Sequence, residues 1–222
     1  MGETNTLQAA DGHELSAYRA DPPGEARGGL VIVQEIFGVN SHIRSVADGF
    51  AADGYVAVAP ALFDRIERGV EFGYDPDSVA RGRVLKGHMS WDDAVKDIAA
   101  AVAALSGLKV GAVGYCMGGT VAFLAATRIA GLSAAVGYYG GQINDFKDET
   151  PQCPVMLHFG TEDASIPMDN VAAVRAAQPD IPVHIYEGAG HGFNCDQRGS
   201  HHPQASATAR ERTLAFLREN LG

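Results

Sequence analysis

Apolar, β-branched runs alternate with helix-patterned stretches along the whole 222-residue chain, and this alternation narrows the fold more than any other feature. "GLVIVQE" (Gly29–Glu35), "YVAVAP" (Tyr55–Pro60), "KVGAVGY" (Lys109–Tyr115), "SAAVGYY" (Ser133–Tyr139), "CPVMLHFG" (Cys153–Gly160) and "IPVHIYEG" (Ile181–Gly188) read as strands. Short unbroken apolar runs are the pattern of strands covered on both faces in a parallel sheet. "ELSAYRA" alternates apolar and polar residues, which predicts a half-buried strand at the sheet edge.

Helical segments fill the gaps. Ser41 is placed to cap "HIRSVADGFAADG", and Ser90, with Asp93 three residues on, to cap "SWDDAVKDIAAAVAALSG". In the latter, Val95, Ile98, Val102 and Leu105 recur at helical spacing. "MGGTVAFLAATRIAG" is nearly all small and apolar and predicts a buried helix. "MDNVAAVRAAQ", with Asp169 as its cap after Pro167, and "QASATARERTLAFLRENL" complete the set. The expected fold is α/β, a mostly parallel central sheet with helices on both faces. Asp64–Met89 is the longest and least regular connection, with room for a short helix bordering the site. With no repeat or linker, residues 1–222 are expected to form a single domain, and 46% apolar residues suffice for one sizeable core.

Composition removes several function classes. The formal net charge of −10 repels phosphate backbones, which argues against nucleic acid as a partner. The N-terminus lacks the basic and apolar regions of an export signal, and no apolar run reaches the roughly 18 residues of a spanning helix. Three cysteines, Cys116, Cys153 and Cys195, without CxxC spacing argue against a disulfide framework and a thiolate zinc site. A reducing cytoplasm is the expected compartment. His201-His202 has no cysteine or carboxylate at metal-ligand spacing, so it reads as a solvated loop, and the sequence predicts neither metal nor cofactor.

The chemistry concentrates at the carboxyl ends of the strands, where open parallel sheets build their sites. "VGYCMGGT" (Val113–Thr120) has the Gly-x-nucleophile-x-Gly shape of a strand-to-helix turn, with Cys116 where such turns usually carry serine. The helix starting near Met117 directs its positive end at Cys116, which favours a thiolate. Asp163 follows the next strand but one in "GTEDASIP", and His191 follows the last in "GAGHGF". The order nucleophile, acid, histidine is that of α/β-hydrolases. In these roles His191 carries the proton to the leaving group and Asp163 holds the imidazole. Glu162 and Asp169 are rival acids, and His158 and His184 lie inside strands, where packing or hydrogen bonding accounts for them. Glu35, in "QEIFGVN", ends the first apolar strand at the loop that supplies one oxyanion amide. A carboxylate there would lie near Cys116, with the Ile36 and Met117 amides facing a developing oxyanion. As a like-charge pair, Glu35 and a thiolate favour one proton held between them: Glu35 either accepts the thiol proton or rests hydrogen-bonded to a neutral thiol.

Together, "QEIFGVN", "GYCMGG", "GYYGG", "GTEDASIP" and "GAGHGF" resemble the dienelactone hydrolase family, also called carboxymethylenebutenolidases, in order along nearly the whole chain. The resemblance implies a lidless, monomeric α/β-hydrolase that opens an enol lactone (dienelactone, 4-carboxymethylenebut-2-en-4-olide) to maleylacetate. It implies a triad of Cys116, His191 and Asp163, and a role for Glu35 in holding the resting thiol until substrate displaces it. It also implies two arginines on the lactone's carboxylate. The first falls at Arg81 or Arg83, with Arg81 favoured. Near the second expected position stands Cys195, with Arg198 three residues further on, so either Arg198 reaches back or the substrate differs. Tyr139 and Trp91 are candidates for the pocket border.

The expected reaction is attack of Cys116 on the carbonyl of a small lactone or ester, followed by hydrolysis of the thioester. Because a thiolate leaves more readily than an alkoxide, an enol leaving group suits this nucleophile better than a simple alkyl ester. A broad-range carboxylesterase or thioesterase on the same scaffold is the enzymatic rival. A non-catalytic redox sensor or ligand-binding protein is the rival of another class, since an exposed reactive cysteine can be an oxidation switch. A sensor has no need of an acid and a base beside its thiol.

Overall fold

Five strands of the central sheet are buried along their whole length, as their unbroken apolar sequences require. In the computed structural model, which describes residues 2–222, the strands are β1 (Glu3–Gln8), β2 (Glu14–Ala20), β3 (Gly28–Val33), β4 (Tyr55–Pro60), β5 (Val110–Tyr115), β6 (Ala134–Tyr138), β7 (Val155–Gly160) and β8 (Val183–Tyr186). They form one sheet in the order β1-β2-β4-β3-β5-β6-β7-β8. The β1–β2 and β2–β4 pairs are antiparallel, and every other pair is parallel.

The helices are α1 (Ser41–Ala52), α2 (Pro76–His88), α3 (Trp91–Ala103), α4 (Met117–Arg128), α5 (Met168–Ala177) and α6 (Pro203–Leu221). Helix α4 packs on β5 and β6 and against α3, and Met117 through Thr127 are all buried, as its small apolar sequence predicts. On the other face, α1 lies on β4 and α6 on β5, β6 and β7. An ion pair between Arg210 and Asp53 ties α6 to the end of α1.

Several local expectations change. Strand Glu14–Ala20 is not the sheet edge, because β1 pairs outside it from Glu3↔Arg19 to Gln8↔Glu14. The polar, exposed residues of β1 carry too little hydrophobic pattern to announce a strand. Asn40, not Ser41, caps α1: its extended backbone lets the side chain accept from the Ile43 amide at 3.2 Å, while Ser41 is already helical. Asp169 does not cap α5, since Pro167 holds the cap position and Asp169 lies inside the first turn. His202 caps α6, accepting from the Ala205 amide at 3.2 Å. The Asp64–Met89 connection contains the 13-residue helix α2, longer than the short helix expected; Asp75 caps it, accepting from the Ser78 amide at 3.0 Å.

Candidate active site

Cys116 occupies the tight turn between β5 and α4 with φ 55° and ψ −119°, in the left-handed half of backbone space that side-chain-bearing residues avoid. Such a conformation costs on the order of 1–3 kcal/mol and persists only where its surroundings over-determine it. Here the surroundings are backbone. A Cβ on Gly114 would collide with the Gly118 carbonyl, so strand and helix approach too closely for any larger residue. The sulfur is thereby held at the positive end of α4, where the first-turn amides have no intrahelical partner.

Residues from two further strand ends complete a hydrogen-bonded line. His191 Nε2 stands 3.1 Å from Cys116 Sγ, and His191 Nδ1 stands 2.7 Å from Asp163 Oδ2. Asp163 is buried, and its Oδ1 accepts from the Ser165 amide at 2.8 Å, which fixes the carboxylate plane. Burial of His191 opposes the imidazolium, but the Cys116 sulfur and the Asp163 carboxylate outweigh it and raise the imidazole to about 10. The Tyr139 ring packs edge-on against His191 at 5.2 Å. It is fully buried behind the imidazole rather than on the cavity wall, and burial pushes its hydroxyl well above the ordinary range.

Glu35 is fully buried at the end of β3. Its Oε1 accepts from Arg198 Nη1 at 3.1 Å, and among the described residues no hydrogen bond joins it to Cys116, whose sulfur faces His191 instead. Arg198 turns back toward Glu35 and the cavity. The chain after His191 descends through successive tight turns, Cys195 N to Gly192 O at 2.9 Å and Arg198 N to Cys195 O at 3.2 Å. Gly192, at φ 78°, lies directly under the Arg198 guanidinium, where a Cβ would strike it. The guanidinium also covers the faces of Phe37 and Tyr74, with centroids at 5.6 and 5.7 Å. Cys195, which stands near the expected arginine position, is buried away from the cavity.

A cavity of about 280 Å³ opens over Cys116. Ile36 and Met117 border it beside the sulfur, consistent with their amides serving a developing oxyanion. Arg83, Lys86 and Arg198 also line it, together with His191, and among the described residues no carboxylate does. Arg81 is not part of this wall. It lies outside, paired with Glu67 at 2.8 Å and stacked on Phe72 at 4.7 Å. Helical geometry is the reason: Val79, Arg83 and Lys86 follow i, i+4, i+7 spacing on one face of α2, whereas a residue two positions from Arg83 points to the opposite side. Gly82 seats that helix on the Ile36 carbonyl. Lys86 was not singled out from sequence, because its role depends on α2 being a helix. Trp91 supports Lys86 from below, with Nζ 5.9 Å from the ring, rather than bordering the cavity itself. Behind the nucleophile, Glu35, His42 and Cys195 bring ligand-type atoms together, a cluster that residues so far apart in sequence could not announce.

The chain from 15 to 221 matches the family model described as "Dienelactone hydrolase family". It is 35% identical to a carboxymethylenebutenolidase of Pseudomonas putida, over 98% of this chain and 96% of that protein. The same figures hold for a carboxymethylenebutenolidase of Pseudomonas knackmussii. A crystal structure described as "Putative Dienelactone Hydrolase" from Klebsiella pneumoniae superposes with a TM-score of 0.84 at 28% identity, covering 97% of this chain and 98% of the other. Among the described residues no helix is long and apolar enough to cross a membrane.

Proposed function

This chain belongs to the dienelactone hydrolase family and is a hydrolase of that type, and from that premise we propose that it opens an anionic enol lactone through a cysteine acyl-enzyme. The observation that carries the mechanism is the unbroken line from Cys116 Sγ through His191 to Asp163, at 3.1 and 2.7 Å. The Cys116 thiolate attacks the lactone carbonyl, and the developing oxyanion turns to the Ile36 and Met117 amides. The ring C–O bond breaks, the enol oxygen leaves with the proton of His191, and the enol rearranges to the ketone. Water then attacks the thioester, giving its proton to His191 as the Cys116 thiolate departs.

The substrate class follows from the wall. Three cationic side chains and, among the described residues, no carboxylate line the cavity, so it favours a lactone carrying its own carboxylate over a neutral acyl ester. Arg198 supplies a planar fork suited to that carboxylate, and it is already occupied on one side by Glu35. A substrate carboxylate competes with Glu35 for the guanidinium.

Turnover of a carboxylate-bearing dienelactone against neutral acyl esters of matched leaving group tests this reading. The expected result is a kcat/KM preference for the dienelactone that shrinks with added salt, because its source is charge. A preference for the neutral esters would instead assign the chain to broad-range esterase activity.

A further inference from the structure

Behind the catalytic cysteine, three side chains from distant parts of the chain converge. A carboxylate oxygen of Glu35, a ring nitrogen of His42 and Sγ of Cys195 all lie within 4.8 Å of one another. Each residue is buried, with Cys195 and Glu35 at 0% exposure and His42 at 4%. Glu35 Oε2 and His42 Nε2 have no hydrogen-bond partner. Buried polar atoms are nearly always satisfied, so two orphans in one place mark a position built for something that accepts both lone pairs.

The surroundings orient these atoms as a ligand set. His42 Nδ1 stands 3.4 Å from Asp196 Oδ1, on the solvent side. An acceptor on that side favours the tautomer with its proton on Nδ1, which leaves the Nε2 lone pair free, the arrangement that positions histidines on metal ions. Glu35 Oε1 is occupied by Arg198, which leaves Oε2 for a second partner.

We infer that Glu35, His42 and Cys195 form a binding site for one divalent transition-metal ion, with zinc the best match. One nitrogen, one oxygen and one sulfur donor suit a borderline ion, whereas magnesium and calcium take oxygen ligands. As the metal–sulfur bond forms, the Cys195 thiol proton leaves to solvent. A dication with one thiolate and one carboxylate is neutral, and the Arg198 cation on Glu35 and the Asp196 carboxylate beside His42 offset each other, which makes its burial tolerable. Tetrahedral zinc sites place ligand atoms roughly 3.3–3.5 Å apart, so the three side chains need to close by at most about 1.5 Å, with water in the fourth position. His42 and Asp196 also line a separate outer cavity of about 400 Å³ that does not include Cys116, and it gives the ion a route of entry.

Titration with zinc chloride by calorimetry, and with cobalt chloride followed by absorbance, tests the site in the wild-type chain and in Cys116→Ala, Cys195→Ala and His42→Gln. The expected result is one ion per chain in the wild type and in Cys116→Ala. Affinity should fall by more than about tenfold in Cys195→Ala and His42→Gln. The thiolate-to-cobalt charge-transfer band should survive Cys116→Ala and vanish with Cys195→Ala. Should Cys195→Ala fail to fold, His42→Gln carries the same comparison. Absence of binding, or binding lost in Cys116→Ala and kept in Cys195→Ala, overturns the assignment. Because the readout is binding rather than turnover, the result is independent of the lactone reading.

Discussion

Arg198 Nη1 donates to Glu35 Oε1 at 3.1 Å, joining a residue at the end of β3 to one far along the chain after His191. Glu35 is wholly buried and Arg198 largely so, with side-chain exposures of 1% and 19%. Removing the arginine leaves a buried carboxylate without its cation. Arg198→Ala should therefore destabilise the fold by about 3 kcal/mol, the lower end for breaking a buried pair because the guanidinium keeps some solvent. Glu35→Gln in that background should recover much of the loss. Urea denaturation of the two variants measures both effects, and equal stability of Arg198→Ala and wild type would show that the pair contributes nothing.

In the proposed mechanism Asp163 acts by holding His191, through the 2.7 Å contact to Nδ1. Asp163→Asn should lower kcat by roughly 10²–10⁴-fold, the range of a general acid–base contribution. Alkylation of Cys116 by iodoacetamide, followed by mass spectrometry, should still proceed. Unchanged hydrolysis in this variant would remove Asp163 from the triad.

The charge state of His191 is directly measurable. Burial works against its protonation, and the Cys116 sulfur and Asp163 together overcome that and hold the imidazole to about 10. Its ring resonances should accordingly report an imidazolium through neutral pH, losing the proton only as pH rises toward about 10. Cys116→Ala removes the largest of the raising causes, so the midpoint should move down toward the ordinary value of about 6.5. A wild-type midpoint already near that value would show that Cys116 and Asp163 do not hold the imidazolium.

Arg83 and Lys86 reach the cavity from α2, and Arg81 does not. Replacing Arg83 or Lys86 by Ala should raise KM for a carboxylate-bearing lactone by up to about fivefold each, the upper end for partly exposed charges near 1 kcal/mol. Arg81→Ala should leave KM within experimental error. Steady-state kinetics on the anionic lactone and on a neutral ester separate the two outcomes, because the neutral ester should be indifferent to all three.

The parts of this molecule that were legible in the sequence are those governed by local rules. Buried parallel strands carry unbroken apolar runs, and the elbow at Cys116 needs small residues at fixed positions around it. Asp163 and His191 follow strand ends, so the topology alone brings them to one edge of the sheet. What was not legible depends on distance in sequence or on helical phase. Strand β1 is exposed and polar and exists only because β2 offers it an edge. The choice between Arg81 and Arg83 turns on the phase of α2, and that phase is set by Gly82 resting on Ile36. The return of Arg198 to Glu35 depends on a chain of turns after Gly192 that no periodic pattern encodes.

Helix α2 brings three side chains to the cavity, yet the triad draws nothing from it; it is seated on the loop of Ile36 through one glycine. Much of the cavity wall is thus written on a piece of chain separate from the proposed triad, with Arg198 the exception. Exchange of Val79, Arg83 and Lys86 offers a lineage new substrates without disturbing the strained cysteine or its partners, a modularity by which one inherited reaction can diversify over many small esters.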